Sequence, residues 1–212
     1  MRILFQGDSI TDAYRARDND WNLGIGYPRL VNAHLGLEEA GEHEFFNRGI
    51  SGNRIVDLYA RIKRDIINLK PDVMSILIGV NDVWHGLDEK SPNGVDEDRF
   101  YDVYCMLIED VKKALPNIKI MILEPFVLKA SATEGKWDVF KSEVEIRAQK
   151  AREVAQKYDL TFVELQSGFD TLCEKAPADY WLGDGVHPSA NGHEFIKREW
   201  LKAYYAMRGN DR

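Results

Sequence analysis

Cysteine is nearly absent from this chain. Cys105 and Cys173 are the whole complement in 212 residues, far apart and without CxxC spacing, so neither a disulfide framework nor a cysteine-based zinc or redox site is expected. Positive charge is also in deficit, with 28 Lys and Arg against 35 Asp and Glu and a formal net charge of -7. No basic block or stripe is present to neutralise phosphates, which argues against nucleic acid as a partner. Long apolar runs are missing as well: none approaches the roughly 20 residues that cross a bilayer, so no membrane partner is expected. The start, Met1-Arg2-Ile3, runs straight into a strand signal without a charged-then-apolar leader. The expected compartment is therefore the cytoplasm.

What is present suits one α/β domain spanning residues 1–212, large enough to bury a core without staples. Strand signals alternate with helix signals. Residues 2–6, Glu44 to Asn47, residues 73–78, 118–123 and 160–165 read as strands, the third a nearly continuous apolar run of the kind covered by helices on both faces. Between them, apolar residues recur at helical spacing from Tyr27 to about Glu39, from Ile55 to Leu69 as one helix, from Phe100 to Leu115, over 138–157, around 168–175 and over 189–207. Residues 12–25, 82–98 and 126–137 read as loops. This alternation predicts a doubly wound three-layer α/β/α sandwich around a five-stranded parallel sheet, for which 2-1-3-4-5 is the common strand order.

In such a sheet, ligands bind beyond the carboxyl ends of the strands. Four segments belong there. Ser9 follows the first strand across Gly7-Asp8 and reads either as a helix cap or as a presented nucleophile, which would need a neighbouring base. His187 is the candidate base, three residues after Asp184 and just before Pro188. One compact loop can then direct a carboxylate to Nδ1 and leave Nε2 facing Ser9. The Ser9 amide, the amide of Gly52 and the side chain of Asn81 could donate to a developing oxyanion. Singly, each of these residues reads as well as a turn or loop residue.

Together, Gly7-Asp8-Ser9-Ile10-Thr11, Gly49-Ile50-Ser51-Gly52-Asn53, Gly79-Val80-Asn81-Asp82 and Asp184-Gly185-Val186-His187-Pro188 resemble the Ser, Gly, Asn and His blocks of the SGNH hydrolases, the GDSL esterase/lipase family, in the family's order. The resemblance implies a flavodoxin-like fold, Ser9 as nucleophile, His187 as base, Asp184 as its orienting acid, and Ser9, Gly52 and Asn81 as the oxyanion hole. It implies no metal and no organic cofactor. No GxSxG elbow is present, so the larger α/β-hydrolase family does not fit.

Among SGNH enzymes, the phrases Gly-Asp-Ser-Ile-Thr-Asp, Asn-Arg-Gly-Ile-Ser-Gly-Asn and Ile-Gly-Val-Asn-Asp-Val-Trp are most similar to intracellular bacterial carbohydrate esterases, including acetyl-xylan esterases. This implies removal of acetyl or other short acyl groups from sugars through an acyl-enzyme. A thioesterase or lysophospholipase could use the same machinery, and a non-catalytic sugar-binding module is a third reading. The absence of a long apolar lid disfavours long-chain lipids. Asp8, Trp84, Tyr14, Trp21 and Trp181 are assigned to substrate contact, the aromatics as stacking surfaces, although packing under loops or at a subunit contact would use them equally well. Asp12, Arg15, Arg17 and Asp18 read either as a site for a polar leaving group or as loop ion pairs. His193, on the opening turns of the last helix, reads as structural. Similar esterases are often homo-oligomers.

Overall fold

Side-chain alternation along five short strands divides the interior in two. The computed structural model describes residues 1–209, with strands β1 (Arg2–Gly7), β2 (Glu44–Asn47), β3 (Val73–Leu77), β4 (Lys119–Leu123) and β5 (Thr161–Val163). All neighbouring pairs are parallel, and the order is β2-β1-β3-β4-β5. The helices in chain order are α1 (Ser9–Asp12), α2 (Tyr27–Glu38), α3 (Ile55–Ala60), α4 (Ile62–Asp65), α5 (Val80–Trp84), α6 (Glu97–Ala114), α7 (Trp137–Lys157), α8 (Gln166–Cys173), α9 (Ala178–Trp181) and α10 (Ala190–Gly209).

Ile3, Phe5, Val73, Met121, Leu123 and Val163 point to one face, where Tyr27, Val31 and Leu35 of α2 meet Ile196, Trp200 and Tyr204 of α10. Leu4, Met74, Ile76, Ile120 and Ile122 point to the other, against Leu58 of α3, Phe100, Tyr104, Leu107, Ile108 and Val111 of α6, and Ala151 and Val154 of α7. A strand buried on both faces needs no polar alternation, which is why β3 and β4 are almost wholly apolar. Helix α6 illustrates how local chemistry fixes an element: Asp96 accepts from the Arg99 amide, acidic residues open the first turn, and Lys112 and Lys113 close the last.

Two expectations are corrected. The single helix over 55–69 is broken into α3, α4 and a 3₁₀ turn at Ile67–Leu69. The break falls at Arg61, whose guanidinium turns inward to Asn53 Oδ1, the Arg48 and Gly7 carbonyls and Asp65. Apolar spacing could not reveal a helix interrupted at the arginine that braces two site turns. The Gly79–Asp82 turn and the start of the 82–98 loop are instead helical, because Gly79 at φ +134° bends the chain directly into α5.

The ends of β1, β2 and β3 converge because buried polar groups tie them together. Asn47 at the end of β2 donates through Nδ2 to the Thr11 and Leu23 carbonyls and accepts the Gly49 amide on Oδ1. Gly49 packs against the backbone of α1 so closely that a Cβ there would lie 2.4 Å from the Asp12 nitrogen. Backbone cannot swing aside as a side-chain tip can. Gly49→Ala is therefore expected to cost about 1–3 kcal/mol, read as a lower midpoint in denaturant or thermal unfolding. An unchanged midpoint would show that the two turns are not locked by this contact.

Candidate active site

The Asp8 carboxylate starts the site by capping α1. Its Oδ1 accepts the Ile10 amide at 2.9 Å, so Ser9 becomes the first helical residue beyond the carboxyl end of β1. The Ser9 hydroxyl meets His187 Nε2 at 2.8 Å, across 178 residues of sequence. On the other side of the ring, Nδ1 lies 2.7 Å from Asp184 Oδ2. An ionised carboxylate can only accept, so the imidazole proton sits on Nδ1, and the lone pair of Nε2 receives the Ser9 O–H.

The loop carrying these groups is held at both ends. Asp184 Oδ1 accepts the amides of Val186 and His187, at 2.9 and 2.8 Å. Leu182 bridges to Pro188, and the Leu128 and Ala132 amides donate to the Gly185 and Asp184 carbonyls. Burial alone would raise the Asp184 carboxyl, but the backbone and ring N–H groups of His187 and the Val186 amide outweigh it and hold the group below the usual carboxylate range. His193 anchors the helix that follows: its Nδ1 accepts the Tyr27 amide at the start of α2. Burial, then the charge of His187, lowers its pKa to about 4.

Asn81 falls in the first turn of α5, with Nδ2 donating to the Asn53 carbonyl at 3.1 Å and one N–H left over. The amides of Ser9 and Gly52 have no acceptor among the described residues. Ser9, Gly52, Asn81, Trp84 and His187 all line one cleft of about 890 Å³, together with His85, Leu87, Lys136 and Phe140. The ring of Trp84 lies 6.0 Å from that of His187 and 5.7 Å from that of Phe140. A second cleft, of about 760 Å³, opens from Ser9 and His187 in another direction and is lined by Tyr14, Arg15, Arg17 and Ile25.

Three of the residues assigned to substrate contact do not reach either cleft. Asp8 is 1% exposed, buried beneath Ser9 by its own capping bond. Trp21 is 93% exposed on the loop after α1 and lines neither cavity. Trp181 turns into its own segment, with Nε1 donating to the Ala176 carbonyl and its ring edge-on to Tyr180. Sequence reasoning did not single out His85, Leu87, Lys136 or Phe140. Each comes from an element whose approach to the site depends on packing, and no local signal marks it.

No group of three or more His, Cys, Asp or Glu among the described residues could hold a metal ion. No helix among them is long and apolar enough to cross a membrane.

The profile of the GDSL-like lipase/acylhydrolase family matches residues 5–195, the span that contains every group just described. The chain belongs to that family. It is a carboxylic ester hydrolase by that membership, and its relatives agree over nearly their whole length. It is 32% identical to an acetylxylan esterase of Geobacillus stearothermophilus over 95% of this chain and 92% of that protein. The crystal structure of that acetylxylan esterase, Axe2, superposes with a TM-score of 0.84, covering 95% of this chain and 93% of that one. A candidate GDSL-like lipase from Parabacteroides merdae superposes with a TM-score of 0.86 at 38% identity, covering 95% and 94%. The α/β hydrolase LAE5, from the metagenome of Lake Arreo, gives 0.85 at 28% identity with the same coverage.

Burial pushes the Asp8 carboxyl up to about 7, against the lowering effects of the Ile10 amide and the charge of His187. Between about pH 4 and 7 the folded state thus holds a proton there that the unfolded chain has released, and folding stability falls as pH rises. Asp8→Asn keeps the capping oxygen and removes the titration. Its stability relative to the natural protein should therefore rise with pH across that window by at most about 1.4 kcal/mol per unit. Urea unfolding at pH 4, 5.5 and 7 measures it; a pH-independent difference would mean that Asp8 is charged throughout.

Proposed function

We propose that this protein is a serine esterase that removes acetyl or other short acyl groups from carbohydrate esters such as acetylated xylo-oligosaccharides. The observation that carries the reading is the line of contacts from Asp184 through His187 to Ser9, opening on the cleft where the spare donors of Gly52, Asn81 and Ser9 lie.

In this reading the Ser9 oxygen attacks the ester carbonyl carbon as its proton passes to His187 Nε2. Asp184 keeps the ring in the tautomer that can accept and stabilises the imidazolium that forms. The carbonyl oxygen becomes an oxyanion facing the amides of Ser9 and Gly52 and the free N–H of Asn81, donors already fixed before charge develops. Collapse breaks the bond to the alcohol oxygen, which leaves with the proton from His187. Water then attacks the acyl-enzyme by the same route and frees Ser9.

Support for a sugar comes from the cleft wall. Trp84 presents an aromatic surface near His187, and Ser51, Asp88, Ser91, Asn93 and Lys136 supply polar groups around it. The acetylxylan esterase relative points the same way. A long acyl chain would need a continuous apolar channel, and the apolar part of this lining comes from Trp84, Leu87, Phe140 and the Ala132 methyl alone.

A series of p-nitrophenyl esters of increasing chain length, with acetylated xylobiose alongside, tests the proposal. Turnover should be fastest on acetyl and fall with length, and Ser9→Ala should lose at least about 10³-fold. Asn81→Ala should lose about 10²–10³-fold in kcat. Preference for chains beyond about eight carbons would favour a lysophospholipase, since apolar burial adds ~0.8 kcal/mol per methylene. Full activity in Ser9→Ala would overturn the serine mechanism, and no turnover of any ester would favour a sugar-binding module.

A further inference from the structure

The second cleft is chemically unlike the first. Arg15 lines it with a guanidinium that donates from Nε to the Gly49 carbonyl at 2.7 Å and from Nη1 to the Ala16 carbonyl at 3.1 Å. Its Nη2 has no acceptor, and no carboxylate lies within ion-pair distance of it, among the described residues. The neighbouring arginines differ. Arg17 pairs with Asp12, Arg48 with Asp20, and Arg61 with Asp65. Asp12, the acidic side chain in the cleft lining, is also occupied by the amide and hydroxyl of Ser51. Arg15 is therefore left without an ion-pair partner among the described residues, in the cleft that Ser9 also lines and in a chain whose net charge is -7.

Burial, then the facing charge of Arg17, draws the Arg15 pKa down to about 10; the charge of Asp12 opposes this in part, and Arg48 and Arg61 add smaller lowering effects. An anion in the cleft would relieve both penalties. Beside this charge stand Tyr14 and Ile25, 86% and 64% exposed. Ala13 and Tyr14 both hold left-handed backbone, at φ +38° and +62°. Side chains rarely adopt this conformation, and here it presents an aromatic ring at the cleft. An exposed ring next to an unpaired guanidinium suits a sugar that carries an acid group.

We propose that the Arg15 cleft binds an anionic substituent, carboxylate or phosphate, carried on the sugar half of the ester. The assignment rests on the esterase reading for which half of the substrate lies there. A short acyl group would fill only a small fraction of either cleft, of about 890 and 760 Å³, so the larger alcohol portion spans both: the sugar next to the ester lies against Trp84, and its far end passes Ser9 and Ser51 to reach Arg15. Arg15 donates from Nη2 to the acid group, Arg17 adds to the field, and Tyr14 covers the adjoining ring face.

Ligands without an ester test the site separately from the chemistry. Calorimetric titration of the natural protein with xylobiose, glucuronic-acid-substituted xylobiose and xylose phosphate should show at least one acid ligand binding about tenfold tighter than the neutral one at low salt. The tighter of the two acids identifies the substituent. The advantage should shrink towards about 1 M salt, where charges are screened within ~3 Å, and should be lost in Arg15→Gln. Arg17→Gln, expected to reduce it in part, serves if the first variant does not fold. Equal affinity for the neutral and both acid ligands overturns the proposal, as does an advantage indifferent to both substitutions. Failure of the esterase reading would appear instead as no turnover of p-nitrophenyl acetate, which leaves the binding result intact.

Discussion

The hydrogen bond between Ser9 and His187 is the constraint to which the fold answers. It joins a residue at the end of the first strand to one in the last loop, and neither group would do chemistry alone: an isolated serine keeps its proton, and an isolated imidazole has no substrate. Parallel strand order makes the meeting possible, because β1 lies between edge strand β2 and central strand β3, and every chain segment leaving these strands emerges on the same edge. The last loop then has to be brought to that edge from the far side of β5. It is held there by the Leu182–Pro188 bridge below and by the chain after β4 above, and α10 leads away from it into the core with Trp200 and Tyr204 fully buried.

The turns around Ser9 are fixed by polar groups removed from water, and this makes their geometry demanding. Asn47, Asp12 and Arg61 each satisfy several backbone or side-chain partners in different loops. A network of this kind gains little net energy per bond but loses heavily if one member is left unpaired. The loops are thereby over-determined: the Gly49–Asn53 turn cannot shift without unpairing Asn47, Asp12 or Arg61. Preorganised donors of this sort are what an oxyanion requires, since they do not have to reorient as charge appears.

Much of this arrangement could be read from the residues, and the parts that could not share a cause. The strands are legible because Val73–Leu77 and Lys119–Leu123 are nearly unbroken apolar runs between turn residues. The meeting of Ser9 with His187 was legible from four short segments, each following a strand or lying in the final loop. The break at Arg61 was not, because apolar residues continue at helical spacing on both sides while the interruption comes from a side chain reaching inward to other loops. That Asp8 lies outside both clefts was not legible either, because a carboxylate beside a nucleophile and a carboxylate capping the nucleophile's helix have the same sequence. Trp21 and Trp181 line neither cleft, which residue type could not foretell: it says that an aromatic ring is in a loop but not which way it faces.

Asp8 adds an electrostatic consequence to that structural role. It is buried under Ser9 with one carboxyl oxygen unpartnered among the described residues, and its ionisation is lowered in cost by positive charge on His187. In the proposed reaction the imidazolium forms as Ser9 attacks and disappears as the alcohol leaves, and Asp184 compensates it at Nδ1 throughout. Asp8 acts from beneath, through space, and with a pKa of about 7 it is charged in only part of the population near neutrality. The two carboxylates therefore divide the work by burial: Asp184, half-exposed and well supplied with N–H donors, is always ionised and orients the ring, whereas Asp8, dry and with a single donor, sets a local field that changes across the neutral range.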